Sequence, residues 1–501
     1  MLDSSVIKQL AVEEAGRIKQ SPNRKIYLVD ASPRYTDELF SVYPWISERT
    51  ANIDSSKFGE FDGDSYYIIA NDYPCESYDR MITDGVRQES VNVFFFPNKE
   101  TQFQLDELDR LPGEPLRDII VFRSGPHASQ YVPGMDYDDN ARALFEYMVE
   151  NGYNERWKLV WIVKDPRESD FISNKYANVE FVSWDWSDTE DEELRDRYYE
   201  NLFLAKFVFF TDAYGFARNC RCDQVRVQLW HGCGYKTRVN FSRCEHRYEY
   251  NIVIGEEYRK IHERIYGLRD DQVLITGYPK EDWLFDPCKE WKELFGIPEA
   301  TKYIFWMPTF RKAKGVLSEL DEKGFDGDTG LPIVNTKSQM DELNDLLGNH
   351  DTVLVIKLHP FQDRDRINVD DYSNIRMIEN KDLYRHRLPI NRVLGNADAL
   401  ISDYSSTVVD YLVLDRPVAY TLEDIEEYEN SRGFVFDNVR DWFAGKEIWN
   451  FDDFLEFVVS VGQGTDPDRE KRQDVRGRIH DFGDKRACER VLKVLGITKK
   501  V

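Results

Sequence analysis

Two histidines follow apolar runs at places where proton or phosphate chemistry is possible. His231 ends the run "VQLW" and precedes Gly232 and Gly234 in "WHGCGYK". A neutral imidazole there could accept a proton from an attacking hydroxyl, and the glycines would let the backbone turn sharply or let a ligand approach. The alternative is a histidine that caps a strand and bonds to the backbone.

The second histidine, His359, lies in "VIKLHP", where Pro360 ends the apolar run. Lys357 stands two residues earlier, so a regular strand would point both side chains to the same side. A lysine and a histidine projecting together could hold a phosphate. A solvated lysine beside a packed histidine is the alternative.

A third candidate is the segment "SDYSSTVVDYLVL", which is typical of a strand followed by a helix. Ser405, Ser406 and Thr407 are good N-cap residues, and Asp403 precedes them. Free N–H groups and the helix dipole attract anions at such a place, and the hydroxyls add donors. Ordinary capping would explain the same residues and is compatible with phosphate binding.

The run "MPTFRKAKG" adds a cationic loop with Arg311, Lys312 and Lys314. Arginine can grip a phosphate through two parallel hydrogen bonds. These loops carry no paired carboxylates that would hold a metal ion, so we expect the cations to neutralise phosphate charge themselves. A solvated loop is the alternative interpretation.

The elements that would position these residues are short apolar strands separated by helical patterns. Such runs are typical of parallel strands buried on both faces, and ligands bind outside the carboxyl ends of such strands. We therefore predict an α/β protein with three parts: a Rossmann-like module of unknown role at 1–110, and two facing Rossmann-like units at 115–298 and 299–490. The candidate residues would line one cleft between the last two.

Composition narrows the class of protein. The chain has 501 residues, too many for one core, and a formal charge of −26, which argues against a nucleic-acid partner. No apolar run is long enough to cross a membrane, and the N-terminus does not read as a secretory signal. Four of the seven cysteines cluster near His231, but their C-x-C spacing fits no standard zinc finger, so reduced thiols are the better interpretation.

The ordered set of motifs resembles a known family. The chain contains, in order, "YDDNARALFEYM", "VQLWHGCGYK", "ITGYPKEDWLF", "FWMPTFR", "VIKLHP", "ISDYSSTVVDYLVLDRPVAY" and "EEYENSRGFVFD". This set is similar to the CDP-glycerol glycerophosphotransferases, the polymerases and primases of teichoic acids and capsules, over about residues 115–465.

The resemblance implies a GT-B fold and a metal-independent transfer without a cofactor. CDP-glycerol would bind mainly to the C-terminal unit, an acceptor hydroxyl would attack its β-phosphorus, and CMP would leave. It makes His231 the base, with His359 as a second catalytic histidine. The donor-binding residues would be Arg311, Lys357, Asp403, Ser405, Ser406 and Thr407. The residues on the acceptor side would be Gly232 and Lys236.

Cys233 and Gly234 depart from the family pattern, which commonly reads W-H-G-T-P-x-K. Three alternatives stay open: a GT-B glycosyltransferase that uses a nucleotide sugar, a transferase that uses CDP-ribitol, and a non-catalytic scaffold. The acceptor would be a hydroxyl-bearing glycan or polyol phosphate. The resemblance implies a cytoplasmic protein and leaves open a lipid-linked acceptor, peripheral association with the inner face of the cell membrane, and homo-oligomers.

Overall fold

The computed structural model describes most of the chain from residue 114 onward and shorter parts of the N-terminal region. The described residues are 18–19, 24–29, 31, 36–37, 39–40, 43–48, 50–53, 65–69, 91–93, 114–124, 136–169, 172, 174–184, 192–211, 220, 223–236, 248–266, 268–308, 328–358, 369–431 and 433–500. Their strands form three sheets, and every pair of neighbouring strands is parallel.

The first sheet belongs to the N-terminal region and has the order β2-β1-β3-β4. Its strands are β1 (Ile26–Val29), β2 (Thr50–Ile53), β3 (Tyr66–Ile69) and β4 (Val91–Val93). A one-turn helix, α1 (Pro44–Ser47), lies between β1 and β2 along the chain. Ile26, Leu28 and Ile68 are buried in a small core of their own, as a separate α/β module requires.

The second sheet has seven strands in the order β11-β10-β9-β8-β5-β6-β7. They are β5 (Arg117–Ser124), β6 (Lys158–Val163), β7 (Val179–Ser183), β8 (Ala205–Thr211), β9 (Val225–Gln228), β10 (Tyr250–Val253) and β11 (Val273–Ile275). The helices of this part are α2 (Asp139–Glu150), α3 (Glu192–Leu204), α4 (Glu256–Tyr266) and α5 (Trp291–Phe295). Its 3₁₀ turns are Tyr153–Glu155, Pro166–Ser169, Asp270–Gln272 and Pro279–Phe285.

The third sheet has six strands in the order β14-β13-β12-β15-β16-β17. They are β12 (Lys302–Trp306), β13 (Thr352–Lys357), β14 (Ile375–Ile378), β15 (Ala399–Ser402), β16 (Val418–Thr421) and β17 (Lys446–Ile448). The helices are α6 (Lys337–Asn349), α7 (Asn380–Arg385), α8 (Ile390–Leu394), α9 (Ser406–Tyr411), α10 (Ile425–Ser431), α11 (Phe451–Gly462), α12 (Arg469–Ile479) and α13 (Ala487–Val494). Two 3₁₀ turns complete it, Leu412–Leu414 and Val439–Trp442.

The end of the chain returns to the second sheet. Both carboxylate oxygens of Asp282 accept backbone N–H groups at the start of α13, from Ala487 at 2.9 Å and Cys488 at 3.0 Å. Beyond α13, the indole of Trp157 donates to the carbonyl of Thr498 at 2.9 Å. The last helix therefore packs on the unit of the second sheet, and one continuous core runs through the units of the second and third sheets.

The predicted fold class is confirmed: two parallel Rossmann-like units of the GT-B type, with a further α/β module before them. Burial explains the apolar runs, since every residue of β13 is buried. The three sheets fall within the three predicted ranges, although the boundaries 1–110, 115–298 and 299–490 stay predictions. Three strands were not predicted, β2, β14 and β17, and each is an edge strand.

Candidate active site

The turn after β9 is held in an uncommon conformation. Trp230 has a φ of 52°, which is rare for a bulky residue. Its backbone N–H donates to Gln228 Oε1 at 3.0 Å, and its buried indole donates to Asn251 Oδ1. His231 follows, half-buried. Strained backbone persists only where its surroundings impose it, so this turn presents the histidine in a fixed place.

Asn140 ties this turn to a second one. Its fully buried amide donates to the carbonyls of Leu229 at 3.1 Å and Trp230 at 2.8 Å. Its oxygen accepts the backbone N–H of Lys280 at 3.1 Å. One side chain in the first turn of α2 thus fixes the turns after β9 and β11 relative to each other. The sequence interpretation gave Asn140 no role.

Gly232 and Gly234 lie against the third unit. Gly232 has a φ of 150°, and a Cβ there would lie 2.9 Å from both Cβ and Oγ of Ser406. At Gly234 a Cβ would lie 3.4 Å from Ser406 Cβ. The group that approaches these glycines is the first residue of α9, and the approach of a ligand there stays a prediction. The turn that carries His231 therefore meets the residues predicted to bind the donor.

The next two residues pair with the third unit as well. Lys236 forms an antiparallel bridge with Phe434, and the N–H of Val435 donates to the carbonyl of Tyr235 at 2.8 Å. The buried hydroxyl of Tyr235 lies 3.0 Å from that of Tyr420. Lys236 was predicted on the acceptor side, but its backbone lies on the C-terminal unit. Its role there stays a prediction.

The junction between β15 and α9 has the predicted form. Ser405 caps the helix, and its hydroxyl accepts the N–H of Thr407 at 3.3 Å. Ser405 also lies 3.2 Å from Thr407 Oγ1. Ser405, Ser406 and Thr407 are half-buried, whereas Asp403 is buried. Ser405, Ser406 and Thr407 are therefore the residues of this junction that keep some exposed surface.

Lys357 ends β13 in a buried position between the units. Its ammonium donates to Asn380 Oδ1 at 2.7 Å and to the carbonyl of Leu358 at 3.1 Å. Burial lowers the pKa of Lys357 to about 8, and the charge of Asp138 opposes that shift. Because Asp138 precedes α2, this effect comes from the other unit. Lys357 thus carries a readily lost positive charge at the cleft.

Arg311, Lys312, Lys314 and His359 lie outside the described residues. The strands before them are described, and β12 lies between β13 and β15 in register. The carboxyl ends of these three strands therefore lie at the same end of the sheet. The roles of Arg311 and His359 there stay predictions.

The sequence interpretation missed a charged cluster beside the His231 turn. The ammonium of Lys280 lies 3.0 Å from Asp410 Oδ2 and 3.5 Å from Asp139 Oδ1, and it donates to the carbonyl of His231. Burial raises the pKa of Asp139 to about 6, while the charges of Lys280 and His231 oppose the rise. Burial likewise raises the pKa of Asp410 against the same two charges. Lys280, Asp410 and Asp139 each lie in one of the motifs quoted from the sequence, but the sequence interpretation gave them no role.

Cys233 lies behind the turn and not in the cleft. It is buried, with Sγ 2.9 Å from the hydroxyl of Tyr278 and 3.8 Å from His262 Nε2. Burial raises the pKa of its thiol. A threonine hydroxyl could make the same contact to Tyr278, so this departure from the family pattern changes a packed position. The described parts of the chain contain no group of three or more His, Cys, Asp or Glu placed to hold a metal ion.

The sequence is similar to those of known proteins. Residues 122–496 match the model of the CDP-glycerol:poly(glycerophosphate) glycerophosphotransferase family. The chain is 27% identical over 329 residues to the teichoic acid ribitol-phosphate polymerase TarK of Staphylococcus aureus, a match that covers 61% of this chain and 60% of TarK. It is 22% identical over 428 residues to a teichoic acid glycerol-phosphate transferase of the same organism, covering 79% and 96%.

The fold is also that of a solved structure. The wall teichoic acid polymerase TagF superposes with a TM-score of 0.57 at 19% identity, covering 79% of this chain and 92% of TagF. The chain spans only 60% of the length of TarK and 52% of that of the related polymerase TarL. Among the helices that the structure describes, none is long and apolar enough to cross a membrane. On the extent of the family match, the chain belongs to the CDP-glycerol:poly(glycerophosphate) glycerophosphotransferase family.

Proposed function

We propose that this protein transfers glycerol phosphate from CDP-glycerol to an acceptor hydroxyl, in the synthesis of a teichoic-acid-like or capsular polymer. The acceptor hydroxyl gives its proton to His231 while its oxygen bonds to the β-phosphorus. The bond between that phosphorus and the CMP oxygen breaks, and CMP leaves with the electron pair. The observation that carries the proposal is the close approach of Gly232, the residue after His231, to Ser406 in the first turn of α9.

Charge compensation in this proposal comes from the protein. Donors already in place stabilise developing charge without reorganisation at the moment of reaction. Lys357 is buried, whereas Ser405, Ser406 and Thr407 are half-buried. Arg311 would add a second cation. These groups would hold the pyrophosphate without a divalent metal, and His359 would assist at the same phosphate.

The donor side of the proposal rests on the third unit, 299–490, and the acceptor side on 115–298. TagF was studied after soaking a variant with CDPG, which supports a CDP-linked donor. TarK and TarL are ribitol-phosphate polymerases, so CDP-ribitol is the second donor to consider. The acceptor would be a glycan or polyol phosphate, carried on a lipid at the inner face of the cell membrane.

The test is the identity of the nucleotide released. Transfer of a polyol phosphate from CDP-glycerol or CDP-ribitol releases CMP, whereas transfer of a sugar from a nucleotide sugar releases a nucleoside diphosphate. The purified protein would be incubated with each donor and with glycerol-phosphate and glycan acceptors, and the product masses would be measured by mass spectrometry. CMP release with an acceptor heavier by one polyol phosphate supports the proposal. Release of UDP from a UDP-sugar, with no reaction of either CDP-polyol, contradicts it.

A further inference from the structure

The ammonium of Lys280 has three acceptors from three separate parts of the chain. It contacts Asp410 in α9, Asp139 at the start of α2 and the carbonyl of His231 after β9. Lys280 itself follows β11, and its side chain is 9% exposed. Two of these contacts are to carboxylates and one is to a backbone carbonyl, so the ammonium is held by groups of the protein. Lys280 can therefore act on the site through these partners.

Those partners control where His231 lies. The contact to the His231 carbonyl fixes the backbone of the strained turn directly. The backbone N–H of Lys280 is held by Asn140, whose amide also holds the carbonyls of the two residues before His231. Asp410 then ties this assembly to the helix whose first residue is Ser406. Lys280 therefore joins the histidine turn to the helix of the other unit.

We propose that Lys280 is the positioning residue for His231, holding the imidazole at a fixed distance from the hydroxyls of α9. This inference rests on the function proposed above. If so, the lysine contributes to the rate of the chemical step and not to donor binding. The three contacts of its ammonium are to Asp410, Asp139 and the His231 carbonyl, and not to Ser405, Thr407 or Lys357.

Removing Lys280 alone would leave the buried carboxylate of Asp410 without its positive partner. Asp410 is buried, and its Oδ1 accepts no hydrogen bond from the described part of the chain. Loss of one partner from a buried ion pair leaves the other charge uncompensated, which can prevent folding. Lys280→Met should therefore be paired with a charge-balanced variant, Lys280→Met with Asp410→Asn, which removes both charges of the closer, buried pair and keeps the side-chain volumes. Asp139, whose side chain is 27% exposed, keeps contact with solvent in this variant.

The matched control is another lysine–aspartate pair with the same separation. Lys302 Nζ lies 3.0 Å from Asp398 Oδ1 at the amino end of β12, away from the cleft. Lys302→Met with Asp398→Asn makes the same chemical change there. For each variant, CMP release from CDP-glycerol gives kcat and KM, and calorimetric titration with CDP gives both affinity and the fraction of molecules that bind.

We expect kcat per CDP-binding molecule to fall about 100-fold in the charge-balanced Lys280 variant, the loss typical of a reacting group misplaced by about 1 Å. KM for CDP-glycerol and the affinity for CDP should stay at wild-type values, and the control should keep its kcat. Wild-type kcat in the variant overturns the inference, as does a loss that only follows a smaller binding-competent fraction. If the wild-type chain releases no CMP from any CDP-polyol, the proposed function fails and this inference with it.

Discussion

The contact between Gly232 and Ser406 allows a quantitative test of how the two units form one site. In Gly232→Ala the new Cβ would lie 2.9 Å from Cβ and Oγ of Ser406. Ordinary carbon contacts are about 3.5–4.0 Å, so the turn and the helix would have to separate by roughly 0.6–1.1 Å. The backbone φ of 150° adds strain for any residue with a Cβ.

The separation should appear in the rate. A displacement of about 1 Å between reacting groups can lower turnover ~100-fold, equivalent to about 2.7 kcal/mol in the barrier. The backbone strain at Gly232, about 1–3 kcal/mol, instead lowers the free energy of unfolding. Gly234→Ala provides a graded comparison, because its Cβ would lie 3.4 Å from Ser406 Cβ. We expect it to lose much less activity.

A double-mutant cycle separates the clash from the strain. Ser406→Gly removes both atoms that the new Cβ would strike, so Gly232→Ala should cost little further activity in that background. The strain at position 232 is the same in both backgrounds and cancels. We expect a coupling free energy of about 1–3 kcal/mol between the two sites, from kcat for CMP release. Melting temperatures of all four proteins would show that each is folded.

The reasoning would be wrong if Gly232→Ala lost equal activity with and without Ser406→Gly. That result would mean that the glycine matters through its own backbone or through a ligand, and not through contact with the helix. Gly477 serves as a neutral reference, since a Cβ there would meet nothing within 4 Å.

Four further outcomes are expected. His231→Ala should lower kcat by ~10²–10⁴, the usual contribution of a positioned base, with CDP affinity kept; wild-type turnover would contradict the assignment. Activity should survive exhaustive chelation, and complete loss restored by Mg²⁺ or Mn²⁺ would show that a metal is needed. Ser406→Ala and Arg311→Ala should each weaken CDP binding by roughly 1.5–3 kcal/mol, measured by titration calorimetry; unchanged affinity in both folded variants would move the donor site. Affinity for CDP should fall as pH rises through about 8, because the ammonium of Lys357 loses its charge there; Lys357→Met should bind more weakly below that pH and lack this step.

Apolar runs in the sequence marked every interior strand and three of the six edge strands, and missed the edge strands β2, β14 and β17. The middle of β13, "VLVI", is apolar throughout because both faces of the strand are covered by protein. β2 and β17 carry polar residues, "TANI" and "KEI", because part of each strand faces solvent. β14, "IRMI", has four residues and includes an arginine, so it does not form a recognisable apolar run. Composition therefore indicates burial, and a strand that is partly exposed to solvent need not appear as an apolar run in the sequence.

The same limit applies to the site. His231, Lys357 and Ser405–Thr407 could be proposed as site residues because each follows or ends a strand or begins a helix, which are local features. Asn140 and Lys280 lie within quoted motifs, but their roles could not be predicted, because those roles depend on which turns meet when the two units pack. Their residue types alone, an asparagine within a helix and a lysine after a proline, do not indicate those roles. Only the packing of the two units shows what they hold.

The returning C-terminus has a consequence for recombining these units by design. The unit at 115–298 is completed by residues near the end of the chain, since Arg490 donates to the carbonyl of Thr276 at 2.7 Å and Asp481 donates its N–H to the carbonyl of Ile254 at 3.2 Å. A Cβ at Gly255 would lie 2.3 Å from the carbonyl oxygen of Ile479. A chimera that exchanges the unit at 299–490 at a single crossover would therefore import a foreign tail onto the unit at 115–298. Two crossovers, one near residue 298 and one before α12, would keep that tail with its own partner.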